Sequence, residues 1–327
     1  MVRKVQHSLL KNAKKNKNDE FYTQLVDIAN ELKYYKSHFK DKVVFCNCDD
    51  ARISNFFNYF ASNFVELGIK KLITVGYKRQ QSDLFDSEKV EKGVLFEYTG
   101  TEKDNPTTTN IVYLNGDGDF RSPESVKILK QADIVVTNPP FSLFREYVAQ
   151  LVKFNKKFLI IGNINAITYK EIFSLIKNNM AWLGVNLGRG ISGFIVPKHY
   201  ELYGTETMID QFGNKIVSPN NCLWLTNLDN FKRHEDIILT KKYFGNEQEY
   251  PKYDNFDGIN INKTKDIPID YNGFMGVPIT FLHKFNPNQF EIIKFRKGND
   301  EKDLSINGKH PYFRIIIKHK RSINLAA

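Results

Sequence analysis

The chain has 327 residues, 41% of them hydrophobic, with 47 Lys and Arg against 37 Asp and Glu, for a formal net charge of +10. That length suits one large α/β domain and a smaller one. No run of about 18 apolar residues occurs, so no membrane span is expected, and Met1-Val2-Arg3-Lys4 does not open a secretion signal. Three cysteines, Cys46, Cys48 and Cys222, are too few for a disulfide framework and predict a reducing, cytoplasmic setting.

From residue 19 to about 38, Phe21, Leu25, Ile28, Leu32 and Tyr35 recur at helical spacing and predict an amphipathic helix. Residues 43–46 predict a strand. A helix follows with Phe56, Phe57, Phe60, Phe64 and Leu67 on its apolar side, closed by Gly68. Residues 72–75 form the second expected strand, and 93–96 with 111–114 predict a hairpin around the polar loop 101–109. A helix from Pro123 leads to the apolar run 132–137. Helix 143–154, strand 158–161 and helix 171–177 come next. Strands alternating with helices imply a mostly parallel, wound sheet. Past Trp182 the pattern changes: strands at 194–196 and 223–225 predict an antiparallel hairpin at the sheet edge. Beyond residue 231 the chain is rich in Asn, Gly, Lys, Tyr and Pro, with strand-like pieces at 277–281 and 313–317. It reads as a smaller α+β unit.

The charge is unevenly placed. Residues 1–18 hold six basic side chains and no acid, residues 19–230 hold 24 basic and 25 acidic, and residues 231–327 hold 17 and 12. A neutral body with basic ends, the first a flexible tail, suits a polyanionic partner. An ordinary basic surface with a solubilising tail gives the same counts, so charge alone does not decide.

Chemistry concentrates where the apolar run 132–137 meets Asn138-Pro139-Pro140-Phe141. Two prolines stop a strand and stiffen the turn, and the carboxyl end of a strand is where open α/β sheets bind ligands. The loop offers an amide oxygen, the Pro139 carbonyl and an aromatic ring. Those groups can grip a planar base bearing an exocyclic amino group. Asn138 accepts while staying neutral. A plain Pro-rich turn is the bland alternative. A second loop, Asn115-Gly116-Asp117-Gly118-Asp119-Phe120, offers a tight turn, an acid and a ring. A third, Cys46-Asn47-Cys48-Asp49-Asp50, precedes Ser54 at a helix start, a place that favours a carboxylate ligand, although Asp50 or Ser54 could be an ordinary cap. No second cysteine pair or spaced histidine pair completes a zinc set, so no metal is expected.

These segments together resemble the EcoRI-type adenine-specific DNA methyltransferases. The resemblance runs through Asn18-Asp19-Glu20-Phe21-Tyr22-Thr23, Phe45-Cys46-Asn47-Cys48-Asp49-Asp50, Ser54-Asn55-Phe56-Phe57 and Thr137-Asn138-Pro139-Pro140-Phe141-Ser142. It continues in Met275-Gly276-Val277-Pro278-Ile279-Thr280-Phe281 and Asn286-Pro287-Asn288-Gln289-Phe290. It implies a Rossmann-like methyltransferase domain over 19–230, with an antiparallel edge hairpin, and a target-recognition, DNA-binding region over 231–327. It further implies S-adenosylmethionine as methyl donor and an adenine of double-stranded DNA as acceptor, reached by base flipping. Asn138, Pro139, Pro140 and Phe141 would be catalytic. Asp19, Phe21, Tyr22, Thr23, Asn47, Asp49, Asp50, Ser54, Asp119 and Phe120 would line the cofactor. The second strand ends Val75-Gly76-Tyr77-Lys78, without the carboxylate that usually holds the cofactor ribose, so that role is unassigned. The context it implies is either restriction-modification, with a restriction endonuclease as functional counterpart, or a phage or orphan modification enzyme acting alone, and no stable protein partner is implied. The same chemistry on RNA, a cytosine amine or a protein amide is the nearest rival reading. A nucleic-acid-binding protein with a vestigial loop is the rival from another class. No Asp…Glu-x-Lys element supports a nuclease.

Overall fold

A computed structural model describes residues 22–77, 92–100, 111–186, 191–196, 207–218 and 221–320. The basic tail 1–18, Asp19, Phe21 and the polar loop 101–109 lie outside them. The chain divides into two compact units: unit 1 is Met1–Phe173 with Leu183–Leu228, and unit 2 is Ser174–Trp182 with Asp229–Ala327.

In chain order the first strands are β1 (Tyr22–Thr23), β2 (Val43–Asn47), β3 (Lys71–Gly76), β4 (Val94–Tyr98), β5 (Val112–Tyr113) and β6 (Ile134–Thr137). They are followed by β7 (Lys157–Asn163), β8 (Trp182–Leu183), β9 (Phe194–Val196), β10 (Thr207–Ile209), β11 (Lys215–Val217) and β12 (Cys222–Thr226). Eight of them form a mixed sheet in the order β5-β4-β3-β2-β6-β7-β12-β8. The central neighbours β3, β2, β6 and β7 pair in parallel. β4 runs antiparallel to β3 and pairs with β5 as the expected hairpin, while β12 runs antiparallel to β7. Uninterrupted apolar runs explain the centre: every residue of β6 and β12, and all of β2 and β3 after their first, are buried.

Helix Asn55–Ser62 seals one part of this core. Its Phe60 meets Phe39 edge-on at 5.1 Å between ring centroids, and its Phe56 meets Trp224 at 6.2 Å. Ser54 caps it by accepting from the backbone N–H of Phe56 and Phe57. Ser122 caps Pro123–Gln131 in the same way, with Pro123 in the first turn.

The amino-terminal helix is shorter than the apolar spacing suggests. Tyr22 and Thr23 are extended and pair with Ile195 and Phe194, so the helix spans only Leu25–Leu32. Strand pairing satisfies backbone groups that periodicity assigned to a first helical turn. Its buried side carries two acids, Asp27 and Glu31, beside Ile28 and Leu32. Glu31 accepts from the backbone N–H of Val185 (2.7 Å) and Asn186 (2.8 Å), from the Asn186 side chain and from the Tyr35 hydroxyl. Asp27 accepts from the Ser192 backbone and hydroxyl. Burial raises both carboxyls above their ordinary range, against the pull of these donors.

The edge of the large sheet also differs from expectation. Of the two strands expected to close it as a hairpin, β12 does join the sheet. Residues 194–196 instead enter a separate four-stranded sheet, β1-β9-β11-β10, whose pairings are all antiparallel.

Unit 2 contains β13 (Ile259–Asn260), β14 (Met275–Pro278), β15 (Phe290–Phe295) and β16 (Arg314–His319), ordered β13-β14-β16-β15. The strand expected at 277–281 ends at Pro278, which cannot donate to a ladder, and continues as the two-turn 3-10 helix Ile279–Lys284. Asn260 organises the interior: its Oδ1 accepts from the Tyr253 hydroxyl and from Arg314 Nε.

Three glycines bring the ends of β3, β4 and the loop after β5 together. A Cβ on Gly118 would stand 2.6 Å from the Gly76 carbonyl oxygen, and one on Gly93 would stand 2.6 Å from the Gly118 Cα. Gly118 also holds φ +80°, as does Gly213, which has nothing within 4 Å of its Cβ position. Backbone strain is thus matched and only the collision differs. Gly118→Ala is expected to destabilise by about 1–3 kcal/mol beyond Gly213→Ala in urea unfolding. Equal losses would show that the contact is not tight.

Candidate active site

The candidate residues sit where the parallel strands end. β2 runs into Cys48, which turns the chain with φ +67°, and the Asp49 N–H donates to the carbonyl of Val75 on β3 at 3.0 Å. Ser54 Oγ donates to Asp49 Oδ1 at 2.9 Å. The other carboxyl oxygen faces Thr137 Oγ1 at 2.6 Å, and that hydroxyl also bonds the carbonyl of Asn47. Thr137 is the last residue of β6 and immediately precedes Asn138.

One proton counts here. The Thr137 hydroxyl has a single hydrogen, while the Asn47 carbonyl can only accept. Both contacts are satisfied when Asp49 is protonated and donates to Thr137, which then donates to Asn47. Desolvation pushes the Asp49 carboxyl up to about 7, assisted by the neighbouring charge of Asp50 and opposed by Ser54 and by the alternative arrangement in which Thr137 donates to the carboxylate. Geometry and electrostatics agree on a carboxyl that is readily neutral.

A second chain of contacts closes a ring. Asn55 Nδ2 donates to the Thr23 carbonyl at 2.9 Å. Thr23 pairs with Phe194 in register, and the Phe194 ring meets Phe141 edge-on at 6.0 Å. Thr23, Phe194, Phe141, Thr137, Asp49, Ser54 and Asn55 therefore surround one rim within unit 1. In the loop itself Pro139 is buried and Asn138, Pro140 and Phe141 are half-buried. The Asn138 Oδ1 atom is shielded from solvent. The carbonyl of Pro140 accepts from Leu143 N at 3.0 Å, starting the turn Phe141–Leu143. Phe144 then lies over Gly162 of β7, where a Cβ would come within 2.5 Å of its ring, so the loop is pinned at both ends.

The remaining expected residues are placed less openly. Asn47 is buried, and its side-chain oxygen accepts from Cys48 N. Asp50 is buried and bridged to Arg52 through both carboxylate oxygens. It also fills the space above Gly76, where a Cβ would lie 2.9 Å from the Asp50 Cβ, which explains why β3 ends without a larger residue. Asp119 is clamped by Arg121, whose hydrogen bonds hold its carboxyl below the usual range. Asp119 nevertheless lies near enough to Cys48 for its charge, with that of Asp49 and above all burial, to push that thiol up. Phe120 is a core ring, 3% exposed, edge-on to Tyr147 at 4.9 Å. Tyr22 is half-buried in β1.

A hydroxyl-bearing cofactor fits this rim. Asp49, Asp50 and Asp119 supply carboxyls at adjoining strand ends, and the buried Thr23 Oγ1 has no hydrogen-bond partner among the described residues. Among those residues no cluster of three or more His, Cys, Asp or Glu could hold a metal ion. No helix among them is long and apolar enough to cross a membrane. A cavity of about 590 Å³ in unit 2 is lined by residues 252–258 with Asn299 and Asp300, none of which belongs to the strand-end rim.

Sequence reasoning passed over Thr137, Asp27 and Glu31. Thr137 follows three apolar residues in a strand and reads as ordinary β-branched filler. The acids had a signal: they fall four residues apart on the same helix face as Ile28 and Leu32.

Residues 9–320 match the family model described as adenine-specific methyltransferase EcoRI. The chain is 66% identical over 326 residues to the Type II methyltransferase M.EcoRI of Escherichia coli, covering 98% of this chain and 99% of that protein. It is 39% identical over 332 residues to the Type II methyltransferase M.MgeORF184P of Mycoplasma genitalium, covering 94% and 98%. It is 36% identical over 332 residues to the Type II methyltransferase M.MpnI of Mycoplasma pneumoniae, covering 95% and 98%. No solved structure matches the chain.

Proposed function

The chain belongs to the EcoRI family of adenine-specific methyltransferases, and from that premise we propose that Asn138-Pro139-Pro140-Phe141 is its catalytic loop and the strand-end rim its cofactor site. The protein is a Type II enzyme that methylates the exocyclic amino group of a DNA adenine, with S-adenosylmethionine as donor. The closed ring of contacts that sets the Thr137–Phe141 segment against Asp49, Ser54 and Thr23 carries this assignment. We read the mixed sheet as a Rossmann-like methyltransferase sheet with β12 as its antiparallel edge.

When bound, S-adenosylmethionine supplies an electrophilic methyl group on a sulfonium. Thr23, Asn47, Asp49, Asp50, Ser54 and Asp119 would hold it, with Tyr22 beside them; the resemblance adds Asp19 and Phe21, which lie outside the described residues, and Phe120 would back the site from the core. The Asn138 Oδ1 and the Pro139 carbonyl accept from the two N–H bonds of the target amine. That grip draws the nitrogen lone pair out of the ring system and offsets the positive charge that builds on it. Phe141 presents its face to the extruded base. Because Phe194 supports that ring from its edge, Phe141→Ala is expected to weaken binding of the flipped base about 10-fold with little change in cofactor affinity. Fluorescence of 2-aminopurine placed at the target adenine reads this, and an unchanged signal would remove Phe141 from the base site.

Unit 2 is proposed as the target-recognition part, acting on double-stranded DNA. Its support is a set of cations laid over aromatic rings: Arg296 over Phe313 at 4.3 Å, Lys294 over Phe256 at 4.4 Å and Lys318 over Phe274 at 6.0 Å. Arg296 is also bridged to Asp303, whereas Lys294 and Lys318 are held over their rings and present their charge for phosphates. A methyl-acceptor assay with duplex DNA, RNA and protein, followed by sequencing for modified bases, tests the reading. Methyl groups appearing on RNA or protein but not on duplex DNA would overturn it.

A further inference from the structure

The hairpin formed by β10 and β11 is out of keeping with an enzyme surface. Met208 is 54% exposed, Ile209 63% and Phe212, at its tip, 79%. Met208 and Ile209, adjacent in β10, turn to opposite faces, so what the hairpin presents at its end is the one large ring of Phe212. The tip is rigid rather than loose. Asp210 N donates to the Asn214 carbonyl and Gly213 N to the Asp210 carbonyl, both at 3.0 Å. The Asp210 carboxylate accepts from Phe212 N, Asn214 N and the Asn214 side chain. These bonds hold that acid below the usual range and keep its oxygens turned into the turn. Phe212 is thus held outward on a pre-organised support.

The position of the hairpin narrows the partner. Val217 of β11 pairs with Phe194 of β9, the residue whose ring supports Phe141. Asn214 lies three residues further along, about 10 Å at strand rise, and Phe212 extends beyond it. The tip therefore projects from the same four-stranded sheet whose Phe194 backs the catalytic loop. The grooves of B-DNA are roughly 7.5–8.5 Å deep. The area argues against a second copy of the chain, since three side chains cannot supply the roughly 1,000 Å² that a specific protein interface needs.

We propose that Phe212 enters the duplex and stacks in the place vacated by the flipped adenine, making the hairpin a wedge that holds the helix open. This rests on the catalytic-loop reading above. Apolar side chains inserted between base steps are a general means of stabilising unstacked DNA. Phe212 would be a positioning residue, since it touches neither cofactor nor reacting atoms.

The test uses the full chain and duplexes carrying the site identified by modified-base sequencing. In single turnover, Phe212→Ala is expected to slow methyl transfer about 10- to 100-fold on a matched duplex. On a duplex whose target adenine is mismatched, and so already unstacked, it should come within about threefold of the unsubstituted protein. Phe212→Trp should retain transfer on both, and all variants should bind S-adenosylmethionine equally. Matched-duplex rates within twofold of the unsubstituted protein would overturn the wedge. So would an equal loss on both duplexes, or a dimer in sedimentation that Phe212→Ala dissolves. If the unsubstituted protein fails to methylate DNA at all, the catalytic reading falls instead, and the two failures are distinct.

Discussion

Asn138→Ala is expected to abolish methyl transfer while S-adenosylmethionine still binds. The amino nitrogen of adenine is a weak nucleophile because its lone pair is shared with the ring, so the transition state depends on acceptors that stabilise a developing positive charge. Removing one preorganised hydrogen-bonding group of this kind costs about 10²–10³ in rate in other enzymes. Here the loss should lie at or beyond that range, because the paired grip on both N–H bonds is broken. The substitution should leave its surroundings standing. Pro139 and Pro140 hold their backbone without side-chain help, and Phe144 still pins the loop over Gly162. Single-turnover transfer to duplex DNA and calorimetric titration with S-adenosylmethionine measure the two halves separately. Full turnover in the variant would remove the mechanism, and loss of cofactor binding would show that the loop belongs to the cofactor site instead.

Much of this arrangement was legible in the chain because it is written in local chemistry. Two adjacent prolines after an apolar run mark a strand end whatever the rest does, and Ser54 with its following phenylalanines reads as a capped helix and is one. Features set by distant partners were not legible. Residues 22–23 look helical until β9, some 170 positions away, offers a ladder. Phe120 reads as an exposed cover for a ligand, yet Tyr147 claims it for the core. Gly76 reads as a missing carboxylate, yet in the fold Asp50 and Val94 occupy the space a side chain would need. Thr137 gave least warning of all, since its importance lies in a carbonyl and a carboxyl brought to it from the end of another strand.

That hydroxyl makes Asp49 the second decisive position. In the unfolded chain a carboxyl titrates near 3.9, and in the fold Asp49 is pushed up to about 7. Between those values the folded protein holds one more proton than the unfolded one, so this group's contribution to stability falls as pH rises from about 4 to 7. The sign is opposite to that of an ion-paired acid such as Asp119, whose lowered carboxyl favours the fold above its unfolded value. The thiols of Cys46 and Cys48 and the phenol of Tyr147, all raised by burial, stay neutral throughout this window and do not mask it. Asp49→Asn places an N–H where the protonated acid carries its hydrogen and keeps an acceptor for Ser54. Its advantage over the unsubstituted protein should grow by on the order of 3 kcal/mol between pH 5 and pH 8. Asp49→Ala, which strips both contacts, should lose on the order of 3 kcal/mol at pH 5. Methyl transfer should follow the same split, retained in the asparagine variant and lowered in the alanine variant, because Thr137 sets the start of the catalytic loop. Urea unfolding at both pH values decides the matter: parallel pH–stability curves for Asp49→Asn and the unsubstituted protein would mean that the proton is not there.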